Sequence, residues 1–353
     1  MYAKSVIRYG TLRKAFNATR TEVGYRRRQV YMKSKPYILF LEPLYYCNLD
    51  CPLCDRQVFP TARKNDAGKL ALDLFDRVLG ELGDYLYQCQ IFGQGEPMMN
   101  WKLTRSIIER AHQRRIFTQL GTNCTLITPV LTDEIATSGL DYIVCAIDGV
   151  TQEAYEAYRV GGKVADALEG LRLLVEAKRR HGSRLTIEWQ YLTHSRNLHE
   201  VAPARRLAAE LGVLFRTAPL CGMEWDRELE EAWLPAGAER HAPGKTVNDF
   251  PCYFLWRSLV LNSNGKVARC LVCQNASQYI DLHRHSVMEA YNHPSVQQAR
   301  RLFGADAAPE GDLPSPCDGC GYFARHHGEP TCDRNSRVLQ DAATPLKTPI
   351  PAA

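Results

Sequence analysis

After Pro36 the chain alternates short apolar runs with longer stretches in which apolar residues recur every three or four positions. The runs Tyr37 to Glu42, Tyr87 to Phe92, Ile116 to Leu120, Tyr142 to Ile147, Leu185 to Leu192 and Val213 to Thr217 read as six strands. Between them Leu70 to Leu82, Leu103 to Arg115, Val130 to Ser138, Val164 to Arg180 and Val201 to Leu211 read as amphipathic crossover helices. Near-continuous apolar strands separated by helices predict an α/β fold whose parallel sheet is covered on both faces. Six such units suit a partial (β/α)6 barrel of the TIM type; the last two units of a closed barrel are not legible. In such a fold the chemistry sits on loops that follow the C-terminal ends of the strands.

From about residue 250 the texture changes. Leu259 to Leu261 and Val267 to Leu271 flank Asn262-Ser263-Asn264-Gly265, a hairpin signal, and a helix-like stretch runs from Val287 to Phe303. A small C-terminal module of hairpin plus helix is the expectation. The division read from the chain is an arm over 1–36, the partial barrel over 37–249, the small module over 250–335 and a tail over 336–353. Pro345, Pro349 and Pro351, with little apolar periodicity, predict a disordered tail.

Composition adds exclusions. At 45% hydrophobic and 24% charged residues, the 353-residue chain is not disordered in the main. No apolar run reaches the roughly 18 to 20 residues that cross a bilayer, and the N-terminus lacks the pattern of a signal peptide. No transmembrane segment and a cytoplasmic location are therefore expected. Charge matters through its placement: residues 1–36 hold ten Lys or Arg against the single acid Glu22, while the rest has 34 bases against 38 acids. Val6, Ile7, Leu12 and Phe16 recur loosely at helical spacing in this arm, ahead of the basic run Arg26 to Arg28. The arm reads as a solvated helix packed beside the main domain, with an acidic partner or a membrane surface as the alternative. Nucleic acid is not an expected partner.

Thirteen cysteines, an odd number concentrated in local clusters, favour metal ligation over disulfides. The sharpest cluster is Cys47-Asn-Leu-Asp-Cys51-Pro-Leu-Cys54, in the loop after the first strand. Three thiolates there can bind three irons of a cubane cluster and leave the fourth iron open to a small molecule. Zinc completed by a distant ligand is the competing use.

This C-x3-C-x2-C loop resembles the signature of the radical S-adenosylmethionine superfamily, and further motifs follow in that family's order. Gly93-Gln94-Gly95-Glu96-Pro97, after the second strand, resembles the G-x-G-E-P turn that holds the methionine amino group. Thr122-Asn123 resembles the T-N-G turn with Cys124 in place of glycine, and Ala146-Ile147-Asp148-Gly149 resembles S-x-D-G with alanine in place of serine. Arg159, in Tyr158-Arg159-Val160-Gly161-Gly162, matches an arginine that pairs with the cofactor carboxylate, and Leu53 stands where an apolar contact to adenine is expected. The resemblance spans roughly residues 37 to 335.

Cys252, Gly265, Cys270 and the Cys317-Asp-Gly-Cys320 pair resemble the auxiliary-cluster region of SPASM and "twitch" enzymes. The shorter twitch pattern, one [4Fe–4S] cluster on Cys252, Cys270, Cys317 and Cys320, is the best match, because His326 and Pro330 replace later cysteines of the full pattern. Cys273 and Cys332 are left over; a ligand set including His326, or zinc on the same four cysteines, stays open. The resemblance implies that a reduced cluster on Cys47, Cys51 and Cys54 splits S-adenosylmethionine and that the resulting radical takes a hydrogen from an unactivated carbon. The implied electron donor is a flavodoxin or ferredoxin. The expected reaction is oxidation of a small polar metabolite such as a sugar or aminocyclitol. The alternatives are peptide maturation, and epimerisation with Cys221 as hydrogen donor. Polar loop residues Glu188, Gln190, His194, Glu224, Asp226 and Arg227 suit many hydroxylated or charged ligands.

Overall fold

Residues 2–58, 68–220, 232–233, 252–268, 270 and 278–303 are described by a computed structural model. Helices α1 (Tyr2–Tyr9) and α2 (Leu12–Arg26) precede strand β1 (Ile38–Leu41). There follow α3 (Asp55–Val58), α4 (Leu72–Leu82), β2 (Gln88–Ile91), α5 (Trp101–Gln113), β3 (Phe117–Thr122) and α6 (Pro129–Thr137). The barrel units continue with β4 (Tyr142–Ala146), α7 (Gln152–Glu156), α8 (Val164–Arg180), β5 (Thr186–Thr193), α9 (Val201–Leu211) and β6 (Leu214–Pro219). Strands β1 to β6 pair in parallel in sequence order, as the six apolar runs predict. The fold is the α/β partial barrel expected.

Period-two alternation sorts each strand into two faces. Leu39, Leu41, Cys89, Ile91, Leu120, Ile143, Cys145, Ile187 and Trp189 join Leu74, Phe75, Ile107, Leu171 and Leu174 of the helices in the main core. The opposite, concave face is more polar. There Tyr142 donates to Glu188 at 2.6 Å and Arg216 donates to the other Glu188 oxygen at 2.9 Å.

The C-terminal strands continue the same sheet. β7 (Ser258–Leu261) pairs in parallel with β1, so β1 lies inside a nine-stranded sheet of order β6-β5-β4-β3-β2-β1-β7-β8-β9. β8 (Lys266–Ala268) and β9 (Gln278–Asp281) add antiparallel to it. Gly265, with φ of +80°, closes the predicted β7–β8 turn. The helix expected over 287–303 is two helices, Val287–Tyr291 and Pro294–Arg301. Pro294 offers no N–H to continue the first helix, and the His293 side chain caps the second.

The arm is two helices parted at Gly10, and it packs under the N-terminal ends of the strands. Tyr9 donates to Asp141, the residue before β4, at 2.9 Å, and Arg8 pairs with the same carboxylate. Buried Lys14 gives its ammonium to the carbonyl of Arg115, just ahead of β3, and burial pulls its pKa down to about 8. Gln88, first in β2, donates to Ser5 at 3.2 Å. The arm thus closes the end of the barrel opposite the cysteine loop.

Candidate functional site

The C-terminal ends of β1 to β5 bring the sequence-selected residues of the first module together. Cys51 is buried and Cys47 and Cys54 are half-buried; the three border one apolar nest with Leu49, Leu53, Tyr158, Leu220 and Trp233. Cys47 Sγ accepts the Leu49 N–H at 3.4 Å and lies 3.9 Å from Asn123 Nδ2, and Cys51 Sγ lies 3.8 Å from the Arg159 guanidinium. Burial pushes the Cys47 thiol up, against the Leu49 N–H, so a bound cation would be what holds it as thiolate.

The turn after β2 approaches this loop through backbone. A Cβ on Gly95 would meet the Leu44 carbonyl oxygen at 2.1 Å, and one on Gly93 would meet Glu42 Cγ at 2.6 Å. Glu96 is buried and accepts from Thr122 Oγ1 at 2.8 Å, the Asn123 N–H at 2.8 Å and the Met98 N–H at 3.0 Å. Burial still pushes its carboxyl up. Asn123 also donates to Asn48 at 2.9 Å, which ties the end of β3 to the cysteine loop. Cys124, where the resemblance expects glycine, has φ of +64° and is fully buried, so a cysteine occupies the left-handed conformation that glycine would adopt without strain.

Asp148 and Arg159 form a buried ion pair at 2.6 Å. Asp148 also accepts the Leu192 N–H at 2.7 Å, which ties β4 to β5. Burial pushes the Asp148 carboxyl up, and the Arg159 guanidinium opposes it. Leu53 packs at the border of the nest.

Cys252 and Cys270 are half-buried and flank the β7–β8 hairpin at the N-terminal end of β7, the end away from Cys47. Cys221, Cys273, Cys317, Cys320, His326, Cys332, Glu224, Asp226 and Arg227 lie outside the described residues. Among the described residues no three His, Cys, Asp or Glu side chains stand together as a finished metal site. The fit of Cys47, Cys51 and Cys54 to an iron–sulfur cluster rests on donor chemistry: three soft thiols on one short loop, in an apolar nest, with N–H groups directed at two of them.

Several polar residues of the concave face and of the loop after β5 carry no motif. Tyr142 and Arg216 reach Glu188 from neighbouring strands; the signal for them is alternation along β4 and β6, which sets Tyr142, Val144 and Ala146 on one face. His194, fully buried after β5, packs its ring edge-on to Trp233 at 5.1 Å, accepts the Arg196 N–H at Nδ1, and has no partner for Nε2 among the described residues. Burial, with the charges of Arg196 and Arg159, pulls its pKa down to about 4. A histidine with a folded pKa below its unfolded value stabilises the fold fully above about pH 6.5, and that stability is lost as the pH falls through about 4. Urea titration of the metal-free protein should lose up to about 3 kcal/mol over that window through His194. His194→Phe should flatten the loss; an unchanged pH slope in the variant would contradict it.

The barrel thus gathers thiols, a glycine turn and a buried Glu–Asn–Asp–Arg set at the C-terminal ends of its strands. Residues 41–187 match the Radical SAM superfamily model, and the chain carries a radical SAM domain. The PqqA peptide cyclase of Ruegeria pomeroyi is 28% identical over 214 residues, 60% of this chain and 54% of that protein. The AdoMet-dependent heme synthase of Methanosarcina barkeri is 25% identical over 186 residues, 52% of this chain and 50% of that protein. The chain spans about half the length of the curated relatives it matches. Streptococcus suis SuiB bound to S-adenosylmethionine shares the fold with a TM-score of 0.56 at 16% identity, over 80% of this chain and 69% of that one. Native anSMEcpe with bound AdoMet gives 0.56 at 14% identity, over 83% and 88%. No helix among the described residues is long and apolar enough to cross a membrane.

Proposed function

We propose that this radical SAM enzyme, of the SPASM/twitch subclass, oxidises a small polar metabolite, such as a sugar or aminocyclitol, at an unactivated carbon. The observation that carries this reading is the polar concave face of the sheet, where Tyr142, Glu188 and Arg216 form a hydrogen-bonded chain across three strands. Gln90 and Gln119 neighbour Tyr142 in register, and Gln190 neighbours Arg216, so the face offers donors and acceptors to a hydroxylated ligand. Cys47, Cys51 and Cys54 would hold the first cluster, and Cys252, Cys270, Cys317 and Cys320 an auxiliary one. When bound and reduced by a flavodoxin or ferredoxin, the first cluster supplies the electron that splits S-adenosylmethionine into methionine and a 5′-deoxyadenosyl radical.

The chain's own residues would bind and orient. Gly93 and Gly95 allow backbone to approach the methionine, and Glu96 would face its amino group. Arg159, held by Asp148, offers its guanidinium to the carboxylate. Asn123 fixes the cysteine loop against β3, and Leu53 would meet adenine. The proposed product is two hydrogens lighter than the substrate: one would leave as a hydrogen atom and one as a proton to solvent, and the auxiliary cluster, held by Cys252, Cys270, Cys317 and Cys320, would supply the acceptor for the remaining electron.

A second reading is peptide maturation, favoured by three PqqA peptide cyclases among the curated relatives, at 28%, 26% and 25% identity. Anaerobic incubation in deuterium oxide of reduced protein with S-adenosylmethionine, and with polyol and peptide panels, separates the outcomes. The expected product is a polyol two hydrogens lighter without carbon-bound deuterium at the reacting carbon. A modified peptide would favour the second reading. A product gaining one deuterium with no change of oxidation state, and lost in Cys221→Ala, would make the enzyme an epimerase.

A further inference from the structure

Helix α2 is arranged inside out. Its protein-facing side carries Lys14, Asn17, Ala18, Thr21, Gly24 and Tyr25, all buried, whereas Leu12 is 92% exposed and Phe16 67% exposed. Val23, also exposed, falls on the same face, since spacings of four and seven residues return to one side of a helix. These three residues make a stripe about 16 Å long, and Ile7 of α1, 86% exposed, and Tyr31, 59% exposed, add exposed apolar side chains in the segments before and after it. Single exposed apolar residues are ordinary, but a stripe in helical register marks a contact surface.

Its flanks are cationic. Arg20, Arg26 and Arg27 are exposed beside the stripe, and the Arg20 guanidinium lies 5.7 Å from the Phe16 ring centre. The arm's one acid, Glu22, is bound by Arg257 and Tyr37 of the barrel, so it does not offset this outward charge. The surface is the convex side of a helix, and long arginine side chains around an aliphatic and aromatic stripe suit a sheet of anionic headgroups over acyl chains.

We propose that the outer face of α1 and α2 docks the enzyme on an anionic lipid bilayer. The inner face of the arm contacts residues that precede β3 and β4, so the docked enzyme would turn its cysteine loop away from the lipid and keep it open to the aqueous phase. Docking needs neither reduced protein nor S-adenosylmethionine, so its test is independent of the reaction.

Full-length protein is sedimented with vesicles of phosphatidylcholine containing about 30% phosphatidylglycerol, and with pure phosphatidylcholine, at low salt. Partition should be at least roughly tenfold stronger with the anionic vesicles and fall steeply with added salt. Leu12→Ser/Phe16→Ser and Arg20→Glu/Arg27→Glu, at exposed positions, should each weaken it roughly tenfold with an unchanged circular dichroism spectrum. Absence of partition into anionic vesicles, or partition untouched by both variants, would overturn the proposal. So would a lipid-free dimer that Leu12→Ser/Phe16→Ser abolishes, since a second copy would then be the occupant.

Discussion

Replacing Cys47, Cys51 and Cys54 together with alanine is expected to abolish 5′-deoxyadenosine formation and to lower iron in reconstituted protein from about eight to about four per chain. The loop holding the three thiols is fixed from three sides: the Asp50 N–H donates to the Val160 carbonyl, Asn123 holds Asn48, and the Glu96 N–H donates to the Tyr46 carbonyl. Loss of the thiols therefore removes donors from a framework that stays in place. The remaining iron would belong to Cys252, Cys270 and the two ligands proposed beyond them, so its spectrum should be unchanged. Iron analysis and chromatography of 5′-deoxyadenosine under dithionite check both halves. Stoichiometric zinc with one cluster, or no 5′-deoxyadenosine from fully loaded wild type, would refute the assignment.

Arg159→Met should destabilise the metal-free protein by about 3 to 5 kcal/mol, because it strands the Asp148 carboxylate without its cation. Asp148 is fully buried, and the Leu192 N–H is its other described donor. Combining the change with Asp148→Asn removes the buried charge, so the double variant should recover much of the loss. Denaturant midpoints at neutral pH measure the cycle. A double variant no more stable than Arg159→Met alone would show that packing of the long side chain, rather than charge, sets the cost.

Strands β1 and β4 were legible because they are apolar along almost their whole length, and β2 and β5 because apolar residues alternate with polar ones that line the concave face. Gly93, Gly95 and Glu96 were legible as a motif, and the structure adds why alanine cannot replace Gly95: the Leu44 carbonyl is already there. What escaped is long-range. Nothing near Ser258–Leu261 announces a parallel partner more than 200 residues earlier, so β7 reads as one arm of a free-standing hairpin until its register with β1 is seen. Lys14 looks like part of a solvated face; it is buried because the Arg115 carbonyl satisfies its ammonium. The Tyr142–Glu188–Arg216 chain needs the register of three strands before its members become neighbours.

The pairing of β7 with β1 makes these two strands a ruler. Cys47 follows the C-terminal end of β1, whereas Cys252 precedes the N-terminal end of β7, and four residue pairs lie between the two ends. At about 3.3 Å per residue the paired segment alone spans roughly 13 Å. Were clusters held at both places, as proposed, a hydrogen-bonded ladder inside one sheet would separate them. A tunnelling distance built this way would change with a residue pair inserted into or deleted from both strands at once.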